Sequence, residues 1–410
     1  MSGRFDPRVL APDPADRAQI LEWLDAGLAA VEPERLTAKA LADQAGRPTV
    51  VVAIGKAAPA MARGAASVLD FVGGVCVSDH VEDAPAALTF FVGDHPVPGA
   101  ASLAAARAVL EAVVEIPAST GIVALISGGG SSLCEMPREG VPPGFLADVN
   151  RALIDGGADI AEINLVRSHL SAIKCGGVSR AAGRPIDTFV ISDVAGGPPS
   201  VVASGPTVPK APDPNAALSI MRRFSLDVPQ EVLAAMSSVS APQLSPRVTQ
   251  LADGRSAARG LAAVVRRPVE VRSEWLSGEV EDCLDRFLRS AAAEVTIGVG
   301  ETVLEVAGKG RGGRNTHAAL IAAERLVGTG DVFVAFATDG VDGSSGSAGA
   351  IVDGWTLSRG GDPSHARADF DSAGYLAAAS DLLKCPPTGT NVSDIWILWR
   401  RDAEPQRKVT

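Results

Sequence analysis

The chain has 410 residues, 46% of them hydrophobic and 21% charged, which suits a globular fold with two or three cores at roughly 150 residues per domain. Its net charge of −11 repels polyanions and anionic lipid, which argues against nucleic acid and membrane partners. An anionic small substrate must therefore meet a local basic site, so Lys and Arg inside Gly-rich loops are the informative residues.

The first periodic stretch is 16–45, where Leu21, Leu24, Leu28 and Val31 recur at helical spacing. A buried-strand run, Thr49–Ile54, leads into Gly55-Lys56 and an Ala-rich helix from Ala57. Further strand-like runs are Gly74–Ser78, Thr89–Val92, Gly121–Ile126 and Thr188–Ser192, with helices over 99–115 and 144–156. Strands without polar alternation, separated by helices, predict a parallel sheet covered on both faces. Residues 206–250 are rich in Pro and Ser, and the domain boundary is placed there, at 240/241. The second half predicts strands at Pro268–Arg272, Thr302–Val306, Val332–Ala337 and Asp394–Trp399, and helices over 278–293, 315–326 and 374–384. The expected fold is α/β: a Rossmann-like domain over 1–240 and a second α/β domain over 241–410. Each is expected to be a mainly parallel sheet flanked by helices, with an interdomain cleft.

Five cysteines without a Cys-x-x-Cys pair fit neither a disulfide framework nor a zinc site, and they fit a reducing compartment. With no apolar signal core near Met1 and no run of about 18 apolar residues, the expected location is the cytoplasm.

Six segments stand at expected strand ends, where open α/β sheets bind ligands. Lys56 follows a buried strand at a helix start, a place that favours phosphate or carboxylate; Val50 excludes a Walker A loop. In Ser127-Gly128-Gly129-Gly130-Ser131-Ser132 the glycines let backbone N–H groups approach an anion, and the hydroxyls add donors. On a helix, Asn164, Arg167, Ser171 and Lys174 fall on one face and offer cations to an anionic ligand; His169 reads as structural. Asp193, after Val190–Ser192, can hold Mg²⁺ or accept a hydroxyl proton, or else cap a helix. Gly308-Lys309-Gly310-Arg311-Gly312-Gly313-Arg314-Asn315 contains a literal G-x-G-x-x-G, but three cations crowd it, which suits phosphoryl oxygens better than a dinucleotide turn. Asp339 and Asp342, near Thr338, and the later Gly389–Asp394 loop with Asn391 offer Mg²⁺ ligands or Asx turns. Asn315 and Asn391 join the ligand-binding candidates.

In this order the segments resemble the class II glycerate 2-kinases, the glycerate kinase/MOFRL family. The resemblance rests on Ala53–Ala58, Gly93–Pro98, Leu125–Ser131, Glu162–Asn164, His169–Lys174, Ala203–Thr207, Gly308–Asn315, Thr338–Gly343 and Pro387–Asn391. It spans roughly residues 15–400. It implies ATP-dependent phosphorylation of the 2-hydroxyl of D-glycerate, or of a closely related hydroxy acid, with ATP and Mg²⁺ as cofactors. The family's functional Lys falls on Lys56 and its functional Arg on Arg314. The chain departs from the family pattern at Ala195–Pro198, where two carboxylates are replaced, and at Thr316-His317, Leu165, Ser168 and Val299.

The expected division of labour has Ser127–Ser132 cradling phosphates, with Lys309 and Arg311 as further contacts. Lys56 and Arg314 stabilise the transferring group, and Arg167 and Lys174 hold a carboxylate. Asp193 serves as base or Mg²⁺ anchor, with Asp339 the second metal candidate. Two other readings stay open: an NAD(P)H oxidoreductase of hydroxypyruvate reductase type, and an inactive relative that binds a sugar acid.

Overall fold

The computed structural model describes residues 4–5, 13–95, 97–238 and 244–401. The chain forms two compact units, one of Pro33–Ile191 with Gly197–Leu251, the other of Met1–Glu32, Ser192–Gly196 and Ala252–Thr410. The expected cut at 240/241 lies outside the described residues. The units differ from the expected domains because the N-terminal helix and the Asp193 segment belong with the C-terminal sheet.

The first unit is built on strands β1 (Pro48–Ile54), β2 (Asp70–Ser78), β3 (Thr89–Val92), β4 (Gly121–Ile126), β5 (Asp187–Ile191) and β6 (Arg247–Ala252), in the order β3-β2-β1-β4-β5-β6. The pairs from β3 to β5 are all parallel. β1 and β4 are wholly buried apart from Pro48, which is why they read as unbroken apolar runs. Strand order reverses between β1 and β4, and their register pairs Ile54 with Ile126. The loops after both strands therefore leave the sheet side by side, at the topological switch point.

The second unit carries β7 (Val269–Val271), β8 (Val295–Gly300), β9 (Val332–Ala337), β10 (Gly349–Asp353), β11 (Leu382–Leu383) and β12 (Asp394–Trp399), in the order β11-β10-β9-β12-β8-β7. This sheet corrects the expectation of a mainly parallel one. Only β7 and β8 pair in parallel, and the other pairs are antiparallel. Every residue of β8, β9 and β12 is buried, so polar alternation is missing whatever the strand direction. The non-helical stretch 338–348 returns the chain directly from β9 to β10, as antiparallel neighbours allow. The strand expected at Thr302–Val306 is only an isolated bridge between Glu279 and Val303. Val303 and Val306 are exposed there, so the β-formers have no face to bury.

The helical stretch expected over 16–45 is two helices, Pro14–Ala30 and Pro33–Ala40, because Pro33 starts a new one. The first of them packs on the helix Gly254–Ala262 through small residues. A Cβ on Gly27 would sit 3.3 Å from the Ala257 carbonyl oxygen, and one on Gly260 would be 2.2 Å from the Ala30 Cβ. Trp23 lies against Trp399 of β12, ring centroids 5.2 Å apart, and both are buried. This packing ties the N-terminus to the second sheet.

Candidate active site

The first unit joins two of the expected segments at the switch point. The Ala57 N–H donates to Ser127 Oγ at 3.0 Å, and the Lys56 N–H to the Gly128 carbonyl at 2.9 Å. Gly55 has φ +125°, and a Cβ there would lie 2.3 Å from Ser127 Oγ, so only glycine permits this approach. Gly129, at φ +82°, begins the short helix Gly130–Leu133; a Cβ on it would lie 3.2 Å from Lys56 Cγ and 3.7 Å from His95 Cδ2. The Lys56 stem and the His95 ring thus flank the glycine loop. Among the described residues, the N–H groups of Gly128, Gly129, Gly130 and Ser131 take no protein acceptor. They are available to an anion.

The Ala203–Thr207 segment closes the other side of the loop. Ser131 Oγ and Ser204 Oγ are 3.0 Å apart, and the Cys175 N–H donates to the Ser204 carbonyl at 3.0 Å. Ala203, Ser204 and Gly205 all have positive φ, at 51°, 61° and 63°. Two consecutive non-glycine residues in that region cost on the order of 1 kcal/mol or more each, a strain that clusters at functional sites. The Asp94 carboxylate has a structural task, accepting from the N–H groups of Ala101 and Ser102 at the start of the helix Ala100–Ala112.

The expected cation face is corrected in part. The helix Ile160–Leu170 ends before Ser171 and Lys174, so the four residues do not share one helix. Lys174 is also not open to a substrate carboxylate. It is 1% exposed, with Nζ 2.6 Å from Glu135 Oε2 and 2.7 Å from the Ser131 carbonyl. Burial lowers the pKa of its ammonium, against the pull of Glu135. Arg167 Nη2 stands 3.8 Å from the same Oε2, and its Nε has no hydrogen-bond partner among the described residues.

In the second unit the basic loop is held by its backbone. Acceptors on Asp369, Asp371 and Ser344 take the N–H groups of Lys309, Arg311 and Gly312 at 3.0–3.1 Å. The Lys309 and Arg311 side chains are exposed, with no ion pair among the described residues. The N-terminus of the following helix, Arg314–Arg325, is already filled: Asn315 and Thr316 donate their N–H groups to the Asp342 carboxylate at 2.9 and 2.8 Å. A dinucleotide loop needs that position for pyrophosphate, and a carboxylate there repels it. Asn315 is corrected as a ligand contact, because it is fully buried and its Oδ1 accepts from Trp396 Nε1 at 3.1 Å.

Arg314 Nε donates to Asp394 Oδ2 and Nη1 to Glu301 Oε1, each at 2.5 Å. Burial opposes its charge, but the two carboxylates outweigh burial and hold the guanidinium firmly protonated. Burial pushes Asp394 up to about 7, against the pull of Arg314. On the other side of the same segment, Ser393 Oγ donates to the Asp193 carbonyl at 2.6 Å and the Thr338 hydroxyl to the Ser393 carbonyl at 2.6 Å. Asn391 Oδ1 accepts from the Ser393 N–H at 3.3 Å, and Asp339 Oδ1 from the Val341 N–H at 3.0 Å. The Asp193 carbonyl, Thr338 next to Asp339, and Arg314 through Asp394 thus border residues 391–394. Gly196, at φ +68°, turns beneath Trp275, where a Cβ would lie 2.9 Å from Nε1. This accounts for one glycine of the departed Ala195–Pro198 segment.

Glu135 and Glu301 were not expected at the site: each becomes informative only through a partner distant in the chain, Lys174 and Arg314 respectively. His95, Ser204 and Asp394 lie inside segments singled out in the sequence, without a role of their own. No group of three or more His, Cys, Asp or Glu that could hold a metal occurs among the described residues.

The family described as a domain of unknown function, DUF4147, matches residues 19–237, and the MOFRL family matches residues 294–394. D-glycerate 2-kinase of Thermotoga maritima is 34% identical, covering 96% of this chain and 99% of its own length. A relative from Agrobacterium vitis, provisionally named a hydroxypyruvate reductase, is 33% identical over 93% of this chain and 94% of its own length. A solved glycerate kinase structure from Thermotoga maritima aligns with a TM-score of 0.86 at 32% identity, covering 94% of this chain and 100% of that one.

Proposed function

We propose that this chain, which belongs to the class II glycerate kinase (MOFRL) family, transfers a phosphoryl group from ATP to the 2-hydroxyl of D-glycerate, giving 2-phosphoglycerate. The observation that carries this reading is the Ala57–Ser127 hydrogen bond, which sets Lys56 beside a glycine loop with open N–H groups at the switch point of a parallel sheet. Phosphoryl transfer asks the protein for positioning and charge neutralisation, and this arrangement supplies both.

In this reading the N–H groups of Gly128–Ser131 and the Lys56 ammonium bind phosphate oxygens, and Arg167 adds a charge behind them. Lys309 and Arg311 are exposed cations of the second unit whose charge suits phosphoryl oxygens. Arg314, paired with Asp394 and Glu301, orients those acids and contributes charge when exposed Glu301 swings away. Asp193 accepts the hydroxyl proton or anchors the metal, and Asn391 supports the substrate.

Mg²⁺ is the proposed metal. It takes oxygen ligands and commonly uses one or two carboxylates together with substrate phosphates, so the lack of a three-acid cluster among the described residues is compatible with it. Asp193 and Asp339 are the residues that would hold it. When bound, it neutralises phosphate charge.

The filled helix N-terminus at Asp342 weighs against the oxidoreductase reading. No helix among the described residues is long and apolar enough to cross a membrane, and the five free cysteines support a cytoplasmic location.

The test is ADP release from Mg-ATP over a panel of C3–C5 hydroxy acids, run beside NADH with hydroxypyruvate. Glycerate-dependent ADP release with flat NADH absorbance supports the reading. NADH oxidation, or a glycerate-induced thermal shift without turnover, overturns it.

A further inference from the structure

Glu135 is 3% exposed, and every one of its polar contacts serves the segments around the glycine loop. Its Oε1 accepts from Ser171 Oγ at 2.5 Å and from the Met136 N–H at 3.1 Å. Its Oε2 is 2.6 Å from Lys174 Nζ and 3.8 Å from Arg167 Nη2. Ser171 Oγ in turn accepts from the N–H groups of Ile173 and Lys174, both at 3.1 Å. Lys174 then spends a second donor on the carbonyl of Ser131, inside the glycine loop.

A buried ion pair is a poor way to gain stability, since apolar residues of similar volume often do as well or better. It does fix geometry, because each charge demands its partner. Here the pair links the Ser131 carbonyl to the turn at 171–174. With that carbonyl drawn inward onto an ammonium, an acceptor that would repel an anion is removed from the loop's open face. One carboxylate also faces two cations, so the cluster leaves one formal positive charge behind the loop, in a chain whose net charge is −11.

We propose that Glu135 and Lys174 act as a buried positioning pair, holding the Ser127–Ser132 loop in its phosphate-binding shape through the Ser131 carbonyl. The pair touches no reacting atom, and its role rests on the reading of that loop as the nucleotide phosphate site.

The experiment compares the full-length wild type with Glu135→Gln, Lys174→Met and the double variant Glu135→Leu/Lys174→Met. The double variant replaces both buried charges by apolar groups and is expected to fold. Two readouts are taken: ADP affinity by calorimetry, and KM against kcat for ATP and for glycerate. The proposal expects ADP affinity to weaken and KM for ATP to rise about tenfold or more in the folded double variant, with KM for glycerate changed by less than about threefold. Unchanged ADP affinity in that variant overturns it, as does an equal rise in both KM values.

A wild-type measurement needs no variant. Hydrogen exchange should slow on ADP binding in both 127–135 and 171–176, and protection of the first segment alone would overturn the proposal. If the wild type binds ADP but releases none with glycerate, the kinase reading fails while the affinity comparison still decides the pair.

Discussion

The N–H of Ala57 donates to the hydroxyl of Ser127 across 3.0 Å and seventy residues of chain. That contact turns two unremarkable turns into one site. It is possible because β1 and β4 are neighbours in register, end on the same line, and are followed by residues small enough to let their loops touch.

Gly55→Ala tests this contact. The new Cβ would meet Ser127 Oγ at 2.3 Å with φ at +125°, and both effects are destabilising. The expected loss is roughly 2 kcal/mol or more in urea unfolding, with a further drop in ADP affinity of the fraction that stays folded. A variant of native stability and affinity would show that the two loops are free to separate.

Lys309→Ala and Arg311→Ala remove exposed side chains that form no ion pair among the described residues, so they should fold normally. Each is expected to raise KM for ATP by roughly threefold to tenfold, an effect that shrinks as salt is added. Steady-state kinetics at low and high ionic strength check this; equal KM values at low salt would remove the basic loop from nucleotide binding.

Burial pushes the thiols of Cys76 and Cys134 up to about 12, reinforced by Glu82 and Glu135, while in an unfolded chain they ionise near 9. The native state then holds these protons more tightly than the unfolded state, so stability should fall as pH rises from 9 towards 12. Native protein at neutral pH should also leave both unlabelled by a thiol reagent. Mass spectrometry of the labelled protein and urea unfolding at several alkaline pH values follow the two effects; rapid labelling of Cys134 would contradict the buried packing behind the glycine loop.

Trp23→Ala should cost about 3–5 kcal/mol, since the ring is buried and lies 5.2 Å from the ring of Trp399. Chemical denaturation measures it. A cost under about 1 kcal/mol would mean that the N-terminal helix is not part of the second sheet's core.

The sequence made the first sheet legible because its strands are parallel, buried and separated by helices: Thr89–Val92 and Gly121–Ile126 match to the residue. In the second sheet Val332–Ala337 and Asp394–Trp399 also match to the residue, but strand direction was not legible, because burial on both faces erases polar alternation whether strands run parallel or antiparallel. Val295–Gly300 was passed over and the exposed Val303 and Val306 were taken for a strand. At the site, Lys56 and Ser127–Ser131 were found by their position at strand ends. Lys174 was found as a cation but assigned the wrong anion, because its true partner, Glu135, sits thirty-nine residues earlier with no spacing rule to connect them. Arg314 was found as a cation of the basic loop, without its partners; only the fold brings Glu301 and Asp394 to it.

The most direct measurement follows 2-phosphoglycerate itself, by coupling to enolase, with Mg-ATP and D-glycerate and with wild type and Lys56→Ala assayed side by side. The wild type should form the product steadily. Lys56→Ala, with a native circular dichroism spectrum, should be slower by on the order of a hundredfold or more, as expected for the loss of an electrostatic stabiliser. Equal rates in the two proteins, or no enolase-reactive product from the wild type, would contradict the account.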